Sequence, residues 1–270
     1  MIELPEVHVL SEQINKTLAG KTIKSAEANT HPHTYAWYTG DPAAYDEMLT
    51  GQKITEARLD IGDGSNVEMV CGDMLLSIST PIKYHAPGHK LPKSHQLLLE
   101  FEDESHMSCT VQMWGSMLCV PFSQRPQGER LPTPFEDAFD EAYFESLINS
   151  VKPSVSAKAL LATEQRIPGL GNGALQDILF NARIHPKRKV EALKNEDRER
   201  LFLNLKATLK DMRDHGGRDT EKDLFNQHGG YKTILSKSTL PLPCPVCGGG
   251  LVRQAFLGGN IYFCPGCQPL

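Results

Sequence analysis

The sequence lacks a long apolar run. No hydrophobic stretch among its 270 residues approaches the roughly 20 residues that a membrane-spanning helix needs. The first residues also lack the basic and apolar segments of a secretory signal peptide, because acidic side chains stand there instead. Internal repeats and low-complexity tracts are absent too. We therefore expect a cytoplasmic globular protein that does not enter a membrane.

Positive charge is scarce in the first half of the chain. Residues 1–150 carry 10 Lys and Arg against 22 Asp and Glu, whereas residues 151–270 carry 18 against 11. The net charges are therefore −12 and +7, an asymmetry which suggests that the second half meets a polyanion. An uneven surface without a binding role is the plain alternative. The composition, 40% hydrophobic and 23% charged, is ordinary for one large or two medium soluble domains.

The seven cysteines fall into two groups. Cys71, Cys109 and Cys119 stand singly in apolar stretches, which is typical of inert buried thiols. The other four form two Cys-x-x-Cys pairs separated by sixteen residues: Cys244, Cys247, Cys264 and Cys267. This spacing predicts one structural Zn²⁺ with four thiolate ligands and no open coordination position. A cytosolic setting disfavours disulfides, and a redox site would need only one such pair.

The texture of the sequence changes along the chain. Apolar residues from Val7 to Leu18 recur at helical spacing, and short apolar runs broken by Gly, Pro and Asp follow as far as Phe122. Beyond a Pro-rich stretch the pattern becomes helical. We predict an α+β protein with four segments: a β domain at 1–122, a linker at 123–135, a helical domain at 136–235 and a Cys-bearing tail at 236–270.

Three apolar runs in the first half predict strands of a sandwich or barrel: "MLLSIST", "HQLLLEF" and "MSCTVQMWGSMLCV". The acidic "EDES" predicts a turn between the last two runs. In the second half, three apolar stripes predict helices: Phe139, Ala142, Tyr143 and Leu147; Leu175, Ile178, Leu179 and Ala182; and Leu201, Leu205, Leu209 and Met212.

A Gly-rich turn opens the second of these helices. The segment "RIPGLGN" ends at Asn172, and such a turn leaves backbone N–H groups free at the positive end of a helix dipole. Asn172 adds a side-chain donor, and Lys187 and Arg188 in the following "HPKRK" raise the local positive potential. The pattern therefore predicts a phosphate-binding site. An ordinary packing corner between two helices fits this segment equally well.

These features together resemble a known family. "ELPEV" at the start, a β domain, "RIPGLGN", "ILFNARIHP" and the terminal four-Cys hairpin are similar to the formamidopyrimidine-DNA glycosylase and endonuclease VIII family, over nearly the whole chain. The resemblance implies an N-terminal β-sandwich, a helix–two-turn–helix domain with a zinc finger, and DNA bound in a cleft between them. It also implies base-excision repair of damaged or abasic duplex DNA, by a monomer at the nucleoid.

The resemblance assigns catalytic roles to the first residues. In the family a proline follows Met1, and its amine attacks the sugar C1′ of a flipped nucleotide; here Ile2 stands at that position. If Met1 stays, its primary amine is the predicted nucleophile, since such an amine can form a Schiff base. Glu3 matches the family's catalytic acid, or it activates water in an enzyme that does not cleave the strand. Glu6 either positions the terminus or favours the helix dipole.

The resemblance also extends to residues that contact DNA. Lys158 and Asn172 fall on family positions. The residues that we predict to contact DNA are Lys158, Gly171, Asn172, Lys187, Arg188, Trp114 and Arg253. Trp114 lies at the family's aromatic wedge, although a buried strand residue is the alternative for this position. Arg253 is the substitute for a family arginine that corresponds to Gly259 or Asn260 here.

Other departures weaken the match to the family's DNA contacts. Gly62 and Asp63 stand where the family has Gly-Lys, and "LSISTP" and "TVQMWG" replace two family segments that fill the gap left by a flipped base. Three hypotheses follow: an active glycosylase, a non-catalytic protein that binds damaged DNA, and an RNA-binding or purely structural zinc protein. Glu3 favours the first, because a protein without catalysis has no chemical need for it.

Overall fold

The computed structural model describes residues 2–60, 65–125 and 131–270. These residues form two compact units. The first unit holds the described residues of 1–2, 6–130 and 220–229, and the second holds those of 3–5, 131–219 and 230–270. The short segments 3–5 and 220–229 therefore belong to a different unit from their neighbours in sequence.

The first helix, α1 (Leu4–Thr17), confirms the apolar spacing at the start of the chain. Val7, Leu10 and Ile14 are fully buried on one face, as a period of 3.6 residues requires. Glu6 lies in the first turn, where the helix dipole favours an acid. Gly20 follows the helix with a φ of +90°, a conformation that glycine adopts without strain.

The first unit contains two β-sheets. Their strands, in chain order, are β1 (Ile23–Ala28), β2 (Ala36–Tyr38), β3 (Ile54–Leu59), β4 (Val67–Cys71), β5 (Met74–Ile78), β6 (Ile82–His85), β7 (Leu97–Phe101), β8 (His106–Cys109) and β9 (Gly115–Pro121). One short helix, α2 (Tyr45–Leu49), lies between β2 and β3. One sheet has the order β1-β7-β8-β6 and the other β2-β9-β5-β4-β3. Every pairing is antiparallel except that of β2 with β9. One apolar core contains side chains of both sheets, which confirms the predicted sandwich.

The predicted strands are confirmed with one correction. β5 and β7 match two of the apolar runs, but the run at 107–120 is two strands rather than one. The chain leaves the ladder between them, where the Val111 amide donates to Gln96 Oε1 at 2.7 Å and the Thr110 carbonyl accepts from Thr80 Oγ1. Cys71, Cys109 and Cys119 are buried thiols, as expected.

The second unit is mainly helical. Its helices are α3 (Glu141–Ser150), α4 (Ala157–Ala162), α5 (Asn172–Asn181) and α6 (Asn195–Asp214). Asp140 and Ser156 cap α3 and α4 by accepting backbone N–H groups. The predicted stripes of α5 and α6 are buried, but α3 buries Phe144 and Ile148 instead of Ala142 and Leu147. In the described part of the chain, no helix has the length and apolar character needed to cross a membrane.

The tail forms a two-stranded antiparallel hairpin. β10 (Val252–Phe256) pairs with β11 (Gly259–Phe263), and Leu257 and Gly258 make the turn with positive φ angles. A small apolar cluster of this unit includes Phe180, Leu235 and three of the four tail cysteines. The hairpin predicted between the two Cys-x-x-Cys pairs is confirmed.

Candidate functional site

Glu3 is a buried carboxylate with three donors. Its Oε1 accepts the Gly173 amide and its Oε2 the Ala174 amide, both at 2.8 Å. Arg218 Nη1 lies 3.4 Å from Oε2 and is itself buried. Because Gly171 at the N-cap of α5 has no side chain, Glu3 acts as the capping residue for that helix. The carboxylate therefore accepts two backbone hydrogen bonds and forms an ion pair with a guanidinium.

The glycines of "PGLGNG" make room for this arrangement. A Cβ built on Gly171 would overlap the Glu3 carboxyl, and one built on Gly173 would overlap the Arg218 guanidinium. Both positions therefore need glycine because two side chains approach the backbone closely. Gly169, earlier in the same turn, has a φ of +69°.

The prediction that the first amides of α5 are free is wrong for two of them. Glu3 already occupies the Gly173 and Ala174 amides, which are the N2 and N3 donors of the helix. The dipole of α5 therefore faces an anion supplied by the chain itself. The role of Gly171 in binding DNA stays a prediction.

Arg218 is a buried residue that the sequence reasoning missed. It belongs to a charged group that also contains Asp177 and Tyr231. Asp177 accepts the Ile234 and Leu235 amides at 2.8 Å each, yet burial outweighs these bonds and raises its pKa to about 6. Burial also raises the pKa of Tyr231, with Asp177 adding to the effect. The one signal in the sequence is an arginine directly after Gly216 and Gly217, which is too common a pattern to interpret.

Lys158 and Asn172 meet at the turn of the tail hairpin. Lys158 is buried and its Nζ donates to the Phe256 carbonyl at 2.7 Å, while Asn172 Nδ2 donates to the Asn260 carbonyl at 2.9 Å. Gly259 lies between them: a Cβ at this position would be 3.4 Å from the ammonium. Burial lowers the pKa of Lys158. Two predicted DNA-contacting residues and the hairpin turn are thus adjacent.

The remaining cations of this unit differ in their surroundings. Arg253 is exposed and its Nε donates to Asn260 Oδ1 at 3.0 Å, which places it beside the same turn. Lys187 Nζ lies 5.2 Å from the centre of the Phe256 ring. Arg188 instead donates to the Pro269 carbonyl at 2.6 Å and pairs with Asp197 at 3.7 Å. Lys187 and Arg253 therefore lie near the turn, and Arg188 is engaged within the protein.

Trp114 is exposed and is not a buried strand residue. It lies in the segment before β9, and its ring contacts that of Trp37 in an edge-to-face arrangement with centroids 6.0 Å apart. Tyr35 and Met113 complete an apolar surface of the first unit. The alternative of a core position is wrong, and insertion between bases stays a prediction for Trp114.

Ile2 is buried where the family has its proline. Its backbone N–H donates to the Ser79 carbonyl at 3.3 Å, and its side chain is 4% exposed. Met1, the predicted nucleophile, and Gly62-Asp63, the predicted substitute for the family's Gly-Lys, lie outside the described residues.

A cavity of about 440 Å³ lies in the first unit. Its described lining includes Ile2, the acids Glu6, Glu221 and Asp223, the lysines Lys83 and Lys222, and hydroxyl and amide side chains. Its volume is in the range of small-molecule sites, and its wall combines apolar residues with charged and polar groups. The two lysines carry no recognisable sequence motif, so the sequence reasoning missed them.

The four tail cysteines form a cluster that fits a tetrahedral metal. Their Sγ atoms all lie within 4.8 Å of one another, with Cys244 to Cys267 at 3.7 Å and Cys247 to Cys264 at 3.4 Å. Four thiolates around Zn²⁺ at about 2.3 Å stand about 3.8 Å apart, which is close to these separations. Cys244 and Gly248, joined by a 2.9 Å bond from the Gly248 amide, form the first knuckle. The donor set is compatible with a structural metal ion.

Solved structures with the same fold define the class of protein. The chain aligns with MutM (Fpg) from Thermus thermophilus at a TM-score of 0.79 and 21% identity, covering 98% of each chain. It aligns with Lactococcus lactis Fpg in complex with DNA containing an abasic site at 0.82 and 22%, covering 99% of this chain and all of that one. These likenesses establish the fold: a β-sandwich followed by a helix–two-turn–helix domain with a four-Cys hairpin.

Sequence comparison adds the family. The formamidopyrimidine-DNA glycosylase N-terminal domain matches residues 1–59, and the H2TH domain of the same enzymes matches residues 131–222. Formamidopyrimidine-DNA glycosylases of Oceanobacillus iheyensis and Rippkaea orientalis are each 26% identical to the chain; the alignments cover 100% and 99% of it, and 98% and 100% of those proteins. The chain belongs to the formamidopyrimidine-DNA glycosylase family.

Proposed function

We propose that this protein is a DNA glycosylase of base-excision repair, which binds damaged or abasic DNA and removes a damaged base. Family membership and the DNA bound to the Lactococcus relative support a DNA partner. The surplus of positive charge in residues 151–270 supports it as well. Such a partner would place the protein at the nucleoid.

The main structural support for this proposal is the cavity of the first unit. A glycosylase must extrude its target nucleotide into an enclosed site, at an unstacking cost of a few kcal/mol. The cavity of about 440 Å³ offers such a site next to Ile2, with the buried Glu6 and polar groups in its wall. Hydrogen-bonding groups of this kind can recognise the edge of an extruded base.

Glu3 acts as a carboxylate in this proposal. Its two amide donors and Arg218 hold the carboxylate in a fixed position, where it would stabilise positive charge as it develops on the deoxyribose during loss of the base. The same carboxylate can activate a water molecule. The geometry supports both of these roles better than that of a proton donor to the sugar oxygen.

The proposal also includes a structural Zn²⁺ and phosphate contacts near the turn of the tail hairpin. The ion held by the four thiolates would fix the tail hairpin, and the hairpin turn contacts Lys158 and Asn172. Phosphate contacts from Lys158, Asn172, Lys187 and Arg253 would then position the strand without reading its sequence. The metal takes no part in the chemistry.

Base release from defined duplexes tests the enzyme. Oligonucleotides that carry single oxidised, ring-opened or alkylated bases are incubated with the protein, and free base is measured by mass spectrometry. We expect release of at least one lesion class and loss of release in Glu3→Gln. A protein that binds every duplex on the panel and releases no base from any of them is not a glycosylase.

One observation favours a second function, damaged-DNA binding without catalysis. Glu3 caps α5 and pairs with the buried Arg218, so its presence now has a structural explanation that needs no chemistry. A binding protein would keep Glu3 for stability alone. Retained affinity for abasic DNA, with no base release and no covalent adduct, would identify this function.

A further inference from the structure

While Met1 is in place, the family's nucleophile position at Ile2 carries no free amine. The Ile2 nitrogen is a peptide amide whose N–H is bonded to the Ser79 carbonyl. The Ile2 side chain is apolar and buried. An amide nitrogen is not nucleophilic, so cleavage of an abasic strand through an imine needs an amine from elsewhere.

Among the described residues, two amines line the cavity that contains Ile2. Lys83 and Lys222 both contribute to its wall. Lys83 lies on β6 directly opposite Ser108 of β8, so two paired strands fix its backbone. Its side chain is half-buried, and no carboxylate or hydrogen-bond acceptor of the described residues pairs with its ammonium.

Lys222 is less suited to the role of nucleophile. It is exposed, lies outside the strands and helices, and its Nζ is 3.5 Å from Asn226 Oδ1. Lys90 is an exposed residue on a neighbouring cavity that does not include Ile2. Of the described lysines, Lys83 alone combines a place beside Ile2, a rigid backbone and an unpaired ammonium.

His85 and acidic residues of the same cavity are among the neighbours of Lys83. His85 lies two residues along β6 on the same face as Lys83, and its Nε2 lies 2.8 Å from Ser108 Oγ. Burial, together with the charge of Lys83, lowers the pKa of His85 to about 4, so its ring is neutral at pH 7. The carboxylate of Glu6 lines the same cavity as Lys83.

We propose, on the basis of the glycosylase function above, that Lys83 is the amine that forms the covalent imine with C1′ of an abasic deoxyribose in this protein. The uncharged Nζ adds to the C1′ aldehyde, and loss of water leaves a protonated imine. Loss of a proton from C2′ to water then breaks the C3′–O bond and releases the phosphate of the cleaved strand. Lys83 thus takes the part that the resemblance gives to an N-terminal amine.

Borohydride trapping followed by peptide mapping tests the proposal. Borohydride adds hydride to C1′ of the imine and converts it into a stable secondary amine. The full-length protein is incubated with a duplex that contains one abasic site, reduced, digested and mapped by mass spectrometry. We expect the sugar adduct on the peptide that carries Lys83.

Variants separate the nucleophile from its neighbours. Lys83→Arg keeps the charge but cannot form an imine, so trapping should be lost while the urea unfolding midpoint and the affinity for abasic DNA stay within error. Lys90→Arg, a change outside this cavity, should trap like the unmodified protein.

The alternative results overturn the proposal in distinguishable ways. An adduct on Met1 or Lys222, or full trapping by Lys83→Arg, contradicts the assignment of Lys83 as the nucleophile and does not contradict the glycosylase function. Base release without any adduct also contradicts the assignment of Lys83 as the nucleophile and shows that water attacks the sugar directly. Binding without base release or adduct removes both proposals.

Discussion

At the scale of the residue, Glu3 has two roles that the sequence could not separate. An acid next to the family's nucleophile position suggests catalysis. The structure shows that the same carboxylate caps α5 and neutralises the buried Arg218. These roles are compatible, because the amides and the guanidinium that hold Glu3 in place also fix the orientation of its carboxylate.

Replacing Glu3 by glutamine should destabilise the protein. The variant removes one carboxylate from a buried ion pair with Arg218, and breaking such a pair costs up to about 3–5 kcal/mol. The free energy of unfolding in urea measures the loss. Glu12→Gln, which alters an exposed pair with Lys16, is the control and should change the free energy by less than about 1 kcal/mol.

A double variant tests whether the pair causes the effect. Glu3→Gln combined with Arg218→Met should cost less than the sum of the single changes, since each single change already loses the interaction between the two side chains. Strictly additive costs would contradict a coupled pair.

His85 should make the stability of the first unit dependent on pH. Its pKa is about 4 in the folded protein, lowered first by burial, against 6.5 for an ordinary histidine. Between these values the unfolded chain binds a proton that the folded chain does not. Stability from this group is therefore complete above pH 6.5 and is lost as the pH falls towards 4.

Urea unfolding at about pH 7 and about pH 4.5 measures this dependence. We expect His85→Gln to lose less stability between the two pH values than the unmodified protein does. The exposed His89→Gln is the control and should behave like the unmodified protein. An equal loss in all three proteins would show that His85 does not titrate as described.

At the scale of the element, the residue types at the start of α5 are constrained by the side chains of Glu3 and Arg218, which pack against its backbone. Gly173→Ala should be destabilised by about 1–3 kcal/mol, because a Cβ there overlaps Arg218 and crowds Glu3. Thermal and urea unfolding measure the change. Gly250→Ala is the matched control, since a Cβ there meets open space. Equal stability of the two variants would mean that the contacts around Gly173 are looser than described.

Removing the metal should disorder the tail hairpin. We expect one Zn²⁺ per chain, and a chelator should abolish hydrogen-exchange protection in β10 and β11, because two short strands do not form a stable hairpin alone. Affinity for DNA should fall in the same experiment. Cys247→Ser should lose the ion, while Cys119→Ser, outside the tail, should retain it. Unchanged DNA affinity after metal removal would argue against a docking role for the hairpin.

Elements were predictable where their signal is local. The periodicity of α1, α5 and α6 and the Cys spacing of the tail needed no tertiary information. The apolar run at 107–120 predicts one strand, whereas the structure has two. Hydrophobicity does not show that the Val111 amide donates to the Gln96 side chain instead of to a neighbouring strand. The stripe of α3 was misplaced for a similar reason: which face of a short helix is buried depends on its neighbours.

At the scale of the whole molecule, the charge asymmetry predicts salt-dependent binding. If the cations of residues 151–270 neutralise three phosphates, affinity should fall about 40-fold between 50 and 200 mM salt, from a slope of about −0.9 per phosphate. Fluorescence anisotropy with a labelled duplex measures this slope. Asn172→Ala should weaken binding alike for unrelated sequences, because a phosphate contact carries no base information. Salt-independent affinity, or a loss confined to one sequence, would contradict the phosphate contacts.

The sequence by itself determined the sandwich, the principal helices and the four thiolates, since each rests on residue types at short, regular spacing; the family was indicated by the resemblance of its motifs. Tertiary structure alone decided what Glu3 touches, that Arg218 is its partner, that two amides of α5 are occupied, and that Lys83 shares a cavity with Ile2. The physical reason is the distance along the chain over which each kind of interaction acts. Periodicity and spacing act within a few residues, whereas Glu3 and Arg218 become neighbours only after folding closes a loop of more than 200 residues.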